Sequence, residues 1–393
     1  MDAALAMLID PVDAAEFERD YWDRVPLVVQ RGVPGYFDDL LTLPDLDRII
    51  SATSLRAPDM QVVEAGQASD AARILVPRNG EPSRGVEAIY DHYRDGATVV
   101  MTSLEDRWPA LARLCTVLAH EITATVWANA YLTPARAQGF RAHHDTHDVF
   151  VAQVHGSKHW RLYSSAIQLP LADQGFIPPA DGPGAPVQEI TLRAGDVMYL
   201  PRGTVHDAVC GEEASLHLTI GIAPVVWAAA IQYALRAAAR DDVRLRQALP
   251  LGFGHGGDRV AVMTDRLAAL LGDVMTRIDA GAMAGHAARQ TIRRAVPALT
   301  GHLSDLETVR SANPRTRFRR RAGLVWSTVS ADESVILEFN GKTIRMPSRV
   351  AGELGFITAT AEFTPADIPG GLEEAGRMRL VTTLVREGFL TFA

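Results

Sequence analysis

Cysteine is close to absent from this chain. Cys115 and Cys210 are the two in 393 residues, too few for a disulfide framework at this length, which fits a reducing compartment such as the cytoplasm. A basic segment ahead of an apolar run is missing from the N-terminus. MDAALAMLIDPVDAAEF carries an acid at position 2 and does not read as a signal peptide. No stretch reaches the roughly 18 uninterrupted apolar residues that a membrane span needs. An excess of positive charge is lacking too: 39 Lys and Arg against 47 Asp and Glu give a formal net charge of −8. That balance argues against specific nucleic-acid binding and is compatible with a basic protein or peptide partner. What remains is the composition of an ordinary globular protein, 47% hydrophobic and 22% charged, with length enough for two or three domains.

Three regimes follow one another along the chain. Up to about residue 120, helical patterns (Asp13 to Trp22, Leu43 to Ile50, Ala88 to Asp95, Pro109 to Ile122) mix with strand-like runs such as Pro26 to Val29. From Thr123 to about Val225, short β-rich runs alternate with turn signals: VWANAYLTP, DVFVAQV, HWRLYS, QEITLRAGD, VMYLPRG and SLHLTIGIAP. Regular spacing of short strands predicts a sandwich or barrel. From Trp227 to about Ser304 the chain is rich in Ala, Leu and Arg with helical periodicity, broken by the glycines of GFGHGGD. Such faces suit either a dimer interface or an intramolecular bundle.

The last regime opens with the most basic stretch, Pro314 to Arg321, expected to be a solvated linker or edge, with contact to RNA or an acidic partner as the alternative. Asn340-Gly341 between Val335–Phe339 and Lys342–Met346 predicts a type I′ hairpin, because both central positions of that turn need positive φ. With helical patterns at Ser348 to Leu354 and Met378 to Arg386 and a terminal strand at Phe389 to Phe392, the unit reads as winged-helix-like. The expected domains are residues 1–225, 226–305 and 306–393, in an α+β chain.

Chemistry concentrates in two fragments, GFRAHHDTHDVFVAQV and GDVMYLPRGTVHDAV. His143 and Asp145, followed at a distance by His206, have the form of the 2-His-1-carboxylate triad that holds Fe(II) and leaves coordination sites open for oxygen chemistry. On a strand, residues i and i+2 share a face, so His143 and Asp145 would converge while His144 points away. A regular strand would carry His147 onto the same face. A zinc site drawn from His144, His147, His155 and His159 competes, but the carboxylate and the absence of a cysteine cluster favour iron. Lys158, Trp160 and Leu162 share one face of the next strand, where Lys158 suits the distal carboxylate of a 2-oxo acid. His217 faces the same interior if its strand is regular.

The run NAYLTPARAQGFRAHHDTHDVFVAQVHGSKHWRLY, with GDVMYLPRGTVHDAVC and SLHLTIGI after it, resembles the JmjC-type cupin 2-oxoglutarate oxygenases of the ribosomal oxygenase family. The match is close through residues 125–222, and YWDRVPLVVQRG and GYFDDLLTLPDLDRII extend it upstream. The resemblance implies a double-stranded β-helix (cupin, jelly-roll) core, a helical dimerisation domain and a winged-helix-like tail. Fe(II) and 2-oxoglutarate are the implied cofactors, with metal ligands at His143, Asp145 and His206 and Lys158 at the 5-carboxylate. Asn129 and Tyr131 fall at positions near the co-substrate. The implied reaction is hydroxylation of a His or Arg side chain of a ribosomal protein by a homodimer. Bacterial arginine hydroxylases of the family carry Arg where this chain has Lys158, and eukaryotic histidine hydroxylases carry Lys. Alternatives are a peptide hydroxylase of natural-product biosynthesis, a JmjC-like N-demethylase and a non-catalytic RNA- or protein-binding module.

Overall fold

The computed structural model describes residues 3–52, 59–64, 67–68, 86–253, 258–277, 281, 285 and 299–393. Among them no helix is long and apolar enough to cross a membrane. The chain divides into two compact units, Met1–Pro224 with Ala295–Ala393, and Val225–Arg294.

Among the described residues, eleven strands build the first part of the larger unit: β1 (Leu27–Val29), β2 (Met60–Glu64), β3 (Gln67–Ala68), β4 (Thr98–Met101), β5 (Ala124–Thr133), β6 (Asp148–His155), β7 (Ser157–Tyr163), β8 (Gln188–Arg193), β9 (Val197–Leu200), β10 (Val205–Cys210) and β11 (Ser215–Pro224). They form an eight-stranded sheet in the order β1-β9-β6-β11-β5-β4-β2-β3 and a three-stranded sheet in the order β10-β7-β8. Every pairing is antiparallel.

Period-two alternation sorts the large sheet into two environments. On β11, Leu216, Leu218, Ile220 and Ile222 join the main core with Phe17, Leu46, Ile49, Leu114 and Leu118 from the helices Ala14–Asp20, Leu43–Ala52 and Pro109–Ile122. The intervening residues look the other way, toward the small sheet. There Val149, Val151, Trp160, Leu162, Ile190, Leu192 and Met198 close a second core. A one-residue slip of β11 would exchange the two sets, so burial on the helix side locks the register that faces the interior. Gly221 is part of that interior face: a Cβ there would lie 2.3 Å from the Trp127 indole, its partner on β5. The tight β6–β7 turn rests on Gly156, with φ +63° and no room for a Cβ beside the Ala214 carbonyl.

The C-terminal part has its own core, in which Phe318, Leu337, Leu354, Ile357, Val381, Leu384 and Phe389 are fully buried. β13 (Trp326–Ala331), β14 (Ser334–Phe339) and β15 (Lys342–Pro347) form an antiparallel meander. Asn340 and Gly341 connect β14 to β15 with φ of 41° and 77°, as the hairpin motif demands. Helices span Ala351–Ala359 and Glu374–Arg386. The basic stretch departs from a solvated linker. β12 (Phe318–Arg320) is the central strand between β16 (Glu362–Phe363) and β17 (Leu390–Phe392), and Arg321 is buried in an ion pair with Asp305. Phe318, with no exposure, anchors the strand in the core, while Arg317 and Arg319 on either side stay exposed and only Arg321 is buried.

The smaller unit contains helices Trp227–Asp241 and Asp258–Met275. Asp242 and Asp273 both pair with Arg244 and Arg277 there. The glycine break at 254–257 and most of 278–298 lie outside the described residues.

Candidate active site

His143 and His206 are brought together by backbone pairing. Each donates its N–H to the other's carbonyl, at 3.1 and 2.8 Å, an isolated antiparallel bridge that sets the two side chains on one face. Asp145 is fixed by its carbonyl, which accepts from Gly203 N–H at 2.9 Å. Here the structure corrects the alternation argument: His143 and Asp145 precede β6, which begins at Asp148 after a bend at residues 146 and 147. Pairing with β10 at His206 and with the turn before it at Gly203, and not the pleat of a continuous strand, makes the three side chains converge.

One ligand atom from each of His143, Asp145 and His206 lies within 4.8 Å of the others. The Asp145 oxygens stand 4.0 Å from His143 Nε2 and 3.8 Å from His206 Nε2, too far to hydrogen-bond, so the three donors surround a shared centre. His143 Nδ1 is 2.8 Å from the Arg141 carbonyl and His206 Nδ1 is 2.9 Å from that of Thr204. Each carbonyl claims the Nδ1 proton and leaves the Nε2 lone pair free. Burial, reinforced by the neighbouring His143, pushes the His206 pKa down and keeps the ring neutral. Two neutral imidazoles and a carboxylate with open space between them fit a divalent first-row metal such as Fe(II).

The centre opens on a cavity of about 260 Å³ between the two sheets. Lys158 lines it, 3% exposed, with its ammonium donating to Thr133 Oγ1 at 2.9 Å. Thr133 in turn lies 3.1 Å from the Thr98 hydroxyl. Among the described residues no carboxylate pairs with Lys158, and burial lowers its pKa from 10.5 to about 8. Arg161, another cation of the same strand, is engaged by Asp207 through two bonds of 2.7 Å. A buried ammonium held by one hydroxyl fits the distal carboxylate of a dicarboxylic acid.

Asn129 and Tyr131 line the same cavity from β5. Asn129 Oδ1 accepts from Ser103 N–H at 3.0 Å, which turns its amide group. Burial raises the Tyr131 pKa, so the phenol stays protonated. His217 faces the interior as the alternation predicts, and His147 reaches the cavity by way of the bend, its ring 4.8 Å from that of Trp127. The remaining histidines serve elsewhere. His144 approaches the Gln174 carbonyl, His159 pairs with Glu189, and His155 is exposed. Sequence reasoning missed Thr133, although the alternation of Asn129 and Tyr131 along β5 carries on to it.

The two sheets form a JmjC-type cupin jelly roll, and the triad is its candidate metal site. A JmjC domain matches residues 104–229. The bifunctional lysine-specific demethylase and histidyl-hydroxylase NO66 of Dictyostelium discoideum is 30% identical over 394 residues, covering 93% of this chain and 75% of that protein. Ribosomal oxygenase 1 of Gallus gallus is 33% identical over 258 residues, 62% of this chain, and the chain spans 41% of its length. The structure of YcfD, a ribosomal oxygenase from Escherichia coli in complex with cobalt and 2-oxoglutarate, shares the fold with a TM-score of 0.56 and 16% identity over 97% of this chain and 98% of that one. The chain belongs to the JmjC family of the ribosomal oxygenases and NO66 proteins.

Proposed function

We propose that this protein is an Fe(II)- and 2-oxoglutarate-dependent dioxygenase that hydroxylates a histidine or arginine side chain of a ribosomal protein. The observation that carries this reading is the placement, in one cavity, of a convergent His143, Asp145 and His206 with a buried Lys158 that no carboxylate neutralises. His143, Asp145 and His206 hold the metal; Lys158 and Thr133 hold the far carboxylate of the co-substrate; Asn129 and Tyr131 flank it. Iron held by these residues would supply the oxygen chemistry with O2 as the oxidant, one atom passing to succinate as 2-oxoglutarate loses CO2 and the other entering a substrate C–H bond. The apolar walls formed by Val149, Val151 and Trp160 keep bulk water from the reacting atoms.

The names of the relatives favour a ribosomal substrate, and a basic ribosomal protein complements a chain of net charge −8. A ribosomal substrate supports a cytoplasmic location. The exposed apolar side chains of the 226–305 region, Trp227, Ile231, Val262, Leu267, Leu271 and Met275, support homodimerisation through it. The meander and two helices of 306–393 support a winged-helix-like domain that shapes access to the site instead of binding nucleic acid specifically.

The test is incubation with Fe(II), 2-oxoglutarate and purified ribosomal proteins, followed by mass spectrometry and succinate assay. A stable gain of one oxygen atom on a His or Arg is the expected result. Formaldehyde release without that gain would support the N-demethylase activity carried in the NO66 names. Absence of both products and of succinate would overturn the dioxygenase reading.

A further inference from the structure

The turn at 201–204, between β9 and β10, is tied to both arms of the triad. Successive N–H groups of Arg202 and Gly203 donate to Asp148 Oδ1 at 2.8 Å and to the Asp145 carbonyl at 2.9 Å, so two neighbouring amides span the bend that separates Asp145 from β6. One residue further on, the Thr204 carbonyl accepts from His206 Nδ1 at 2.9 Å. Gly203 has a φ of +87°, and a Cβ there would lie 2.7 Å from the Ile167 carbonyl oxygen, so glycine alone fits the turn.

A buried carboxylate holds this turn in place. Asp148 has no exposure and is fixed in the large sheet opposite Ile222 of β11; Arg202 is 7% exposed. The guanidinium Nη1 lies 3.2 and 3.3 Å from the two Asp148 oxygens and also pairs with Asp23, whose own N–H donates to the Tyr199 hydroxyl at 3.2 Å. Burial pushes the Asp148 pKa up to about 6, which still leaves the carboxylate ionised at neutral pH and able to accept from backbone and guanidinium together. Buried ion pairs stabilise a fold little compared with apolar residues of similar volume, because desolvation offsets their attraction. The geometry this pair imposes is therefore the better account of it, and that geometry ends on two metal ligands.

We propose that Asp148 is a positioning residue for the metal centre: through the Arg202 N–H and guanidinium it fixes the turn whose next amide holds Asp145 and whose Thr204 carbonyl orients His206. The assignment rests on the metal reading of the triad and adds to it a residue outside the donor set, acting through the backbone of the turn.

Mn(II) titration of the full-length protein, followed by electron paramagnetic resonance and set beside urea melts, tests the inference. Asp148→Leu with Arg202→Met removes both charges together, so no unpaired ion is left buried, but it takes away the acceptor for the amide at 202. Asp148→Asn with Arg202→Met keeps an oxygen in the place of Oδ1. The leucine pair should weaken Mn(II) binding roughly 10–100-fold in protein that still melts cooperatively, and the asparagine pair should recover most of the affinity. A lower urea midpoint with wild-type Mn(II) affinity in the leucine pair is what a merely stabilising role would give; it overturns the inference and leaves the triad standing. An asparagine pair as weak as the leucine pair overturns the acceptor role of Asp148. Amide exchange on the metal-free wild type makes the test independent of how the variants fold: the Arg202 and Gly203 amides should be protected, and exchange as fast as in exposed loops overturns the inference. A wild type that binds no Mn(II) overturns the metal reading itself.

Discussion

Replacing Lys158 with methionine should make the ligand-free protein more stable while nearly abolishing co-substrate binding. The ammonium is 3% exposed and has one hydroxyl partner, and its pKa falls from 10.5 to about 8 through desolvation. That fall corresponds to roughly 3 kcal/mol of burial cost at neutral pH. Methionine fills similar volume without the charge. The lost bond to Thr133 returns about 1 kcal/mol of the gain, and Thr133 keeps its Thr98 partner. The net expectation is a Lys158→Met protein more stable by about 2 kcal/mol, read as a higher urea midpoint at unchanged slope.

The pH dependence carries the same signature. Between pH 8 and 10.5 the unfolded chain keeps the lysine proton and the folded one has released it, so wild-type stability should rise with pH across that window. The variant should lose this rise. For 2-oxoglutarate the sign reverses: a carboxylate needs the ammonium, so wild-type affinity should fall as pH passes about 8. Deleting the cation leaves a carboxylate unpaired in a dry pocket, a loss of about 3 kcal/mol or more and thus at least about a hundredfold in affinity. Titration calorimetry on Mn(II)-loaded protein measures it. A variant less stable than wild type that binds 2-oxoglutarate with unchanged affinity would refute the argument for Lys158.

Three further outcomes are expected. His206→Ala should abolish tight Mn(II) binding, seen by equilibrium dialysis, and eliminate succinate formation, whereas His159→Ala, which loses contacts to Glu189 and Thr191 away from the triad, should change neither. Gly221→Ala drives a methyl group to 2.3 Å from the Trp127 indole and should cost about 1–3 kcal/mol of stability in denaturant melts, with Trp127→Leu recovering part of it in the double variant. Light scattering should show a dimer for the full chain, and Leu267→Glu with Leu271→Glu, on the exposed face of the Asp258–Met275 helix, should shift it to monomer; a wild-type monomer contradicts the assembly.

Local pattern carried much of this protein. Alternation placed Lys158, Trp160 and Leu162 on one inward face, the Asn340-Gly341 pair announced the β14–β15 hairpin, and helical periodicity located Leu43–Ala52 and Pro109–Ile122. These features depend on residues a few positions apart, whose geometry φ, ψ and side-chain period determine before any tertiary contact forms. The donor set His143, Asp145 and His206 was legible as residue types. Its mechanism of convergence was not, because the backbone bridge between His143 and His206 joins positions far apart in sequence and exists only once β10 is placed. Long-range packing also decided that Phe318 would draw a basic stretch into a sheet, that the Thr133 hydroxyl would accept from Lys158, and that His217 Nδ1 and Trp160 Nε1 would be buried without partners. Hydrogen-bond satisfaction is a property of everything around a group, so no window of sequence contains it.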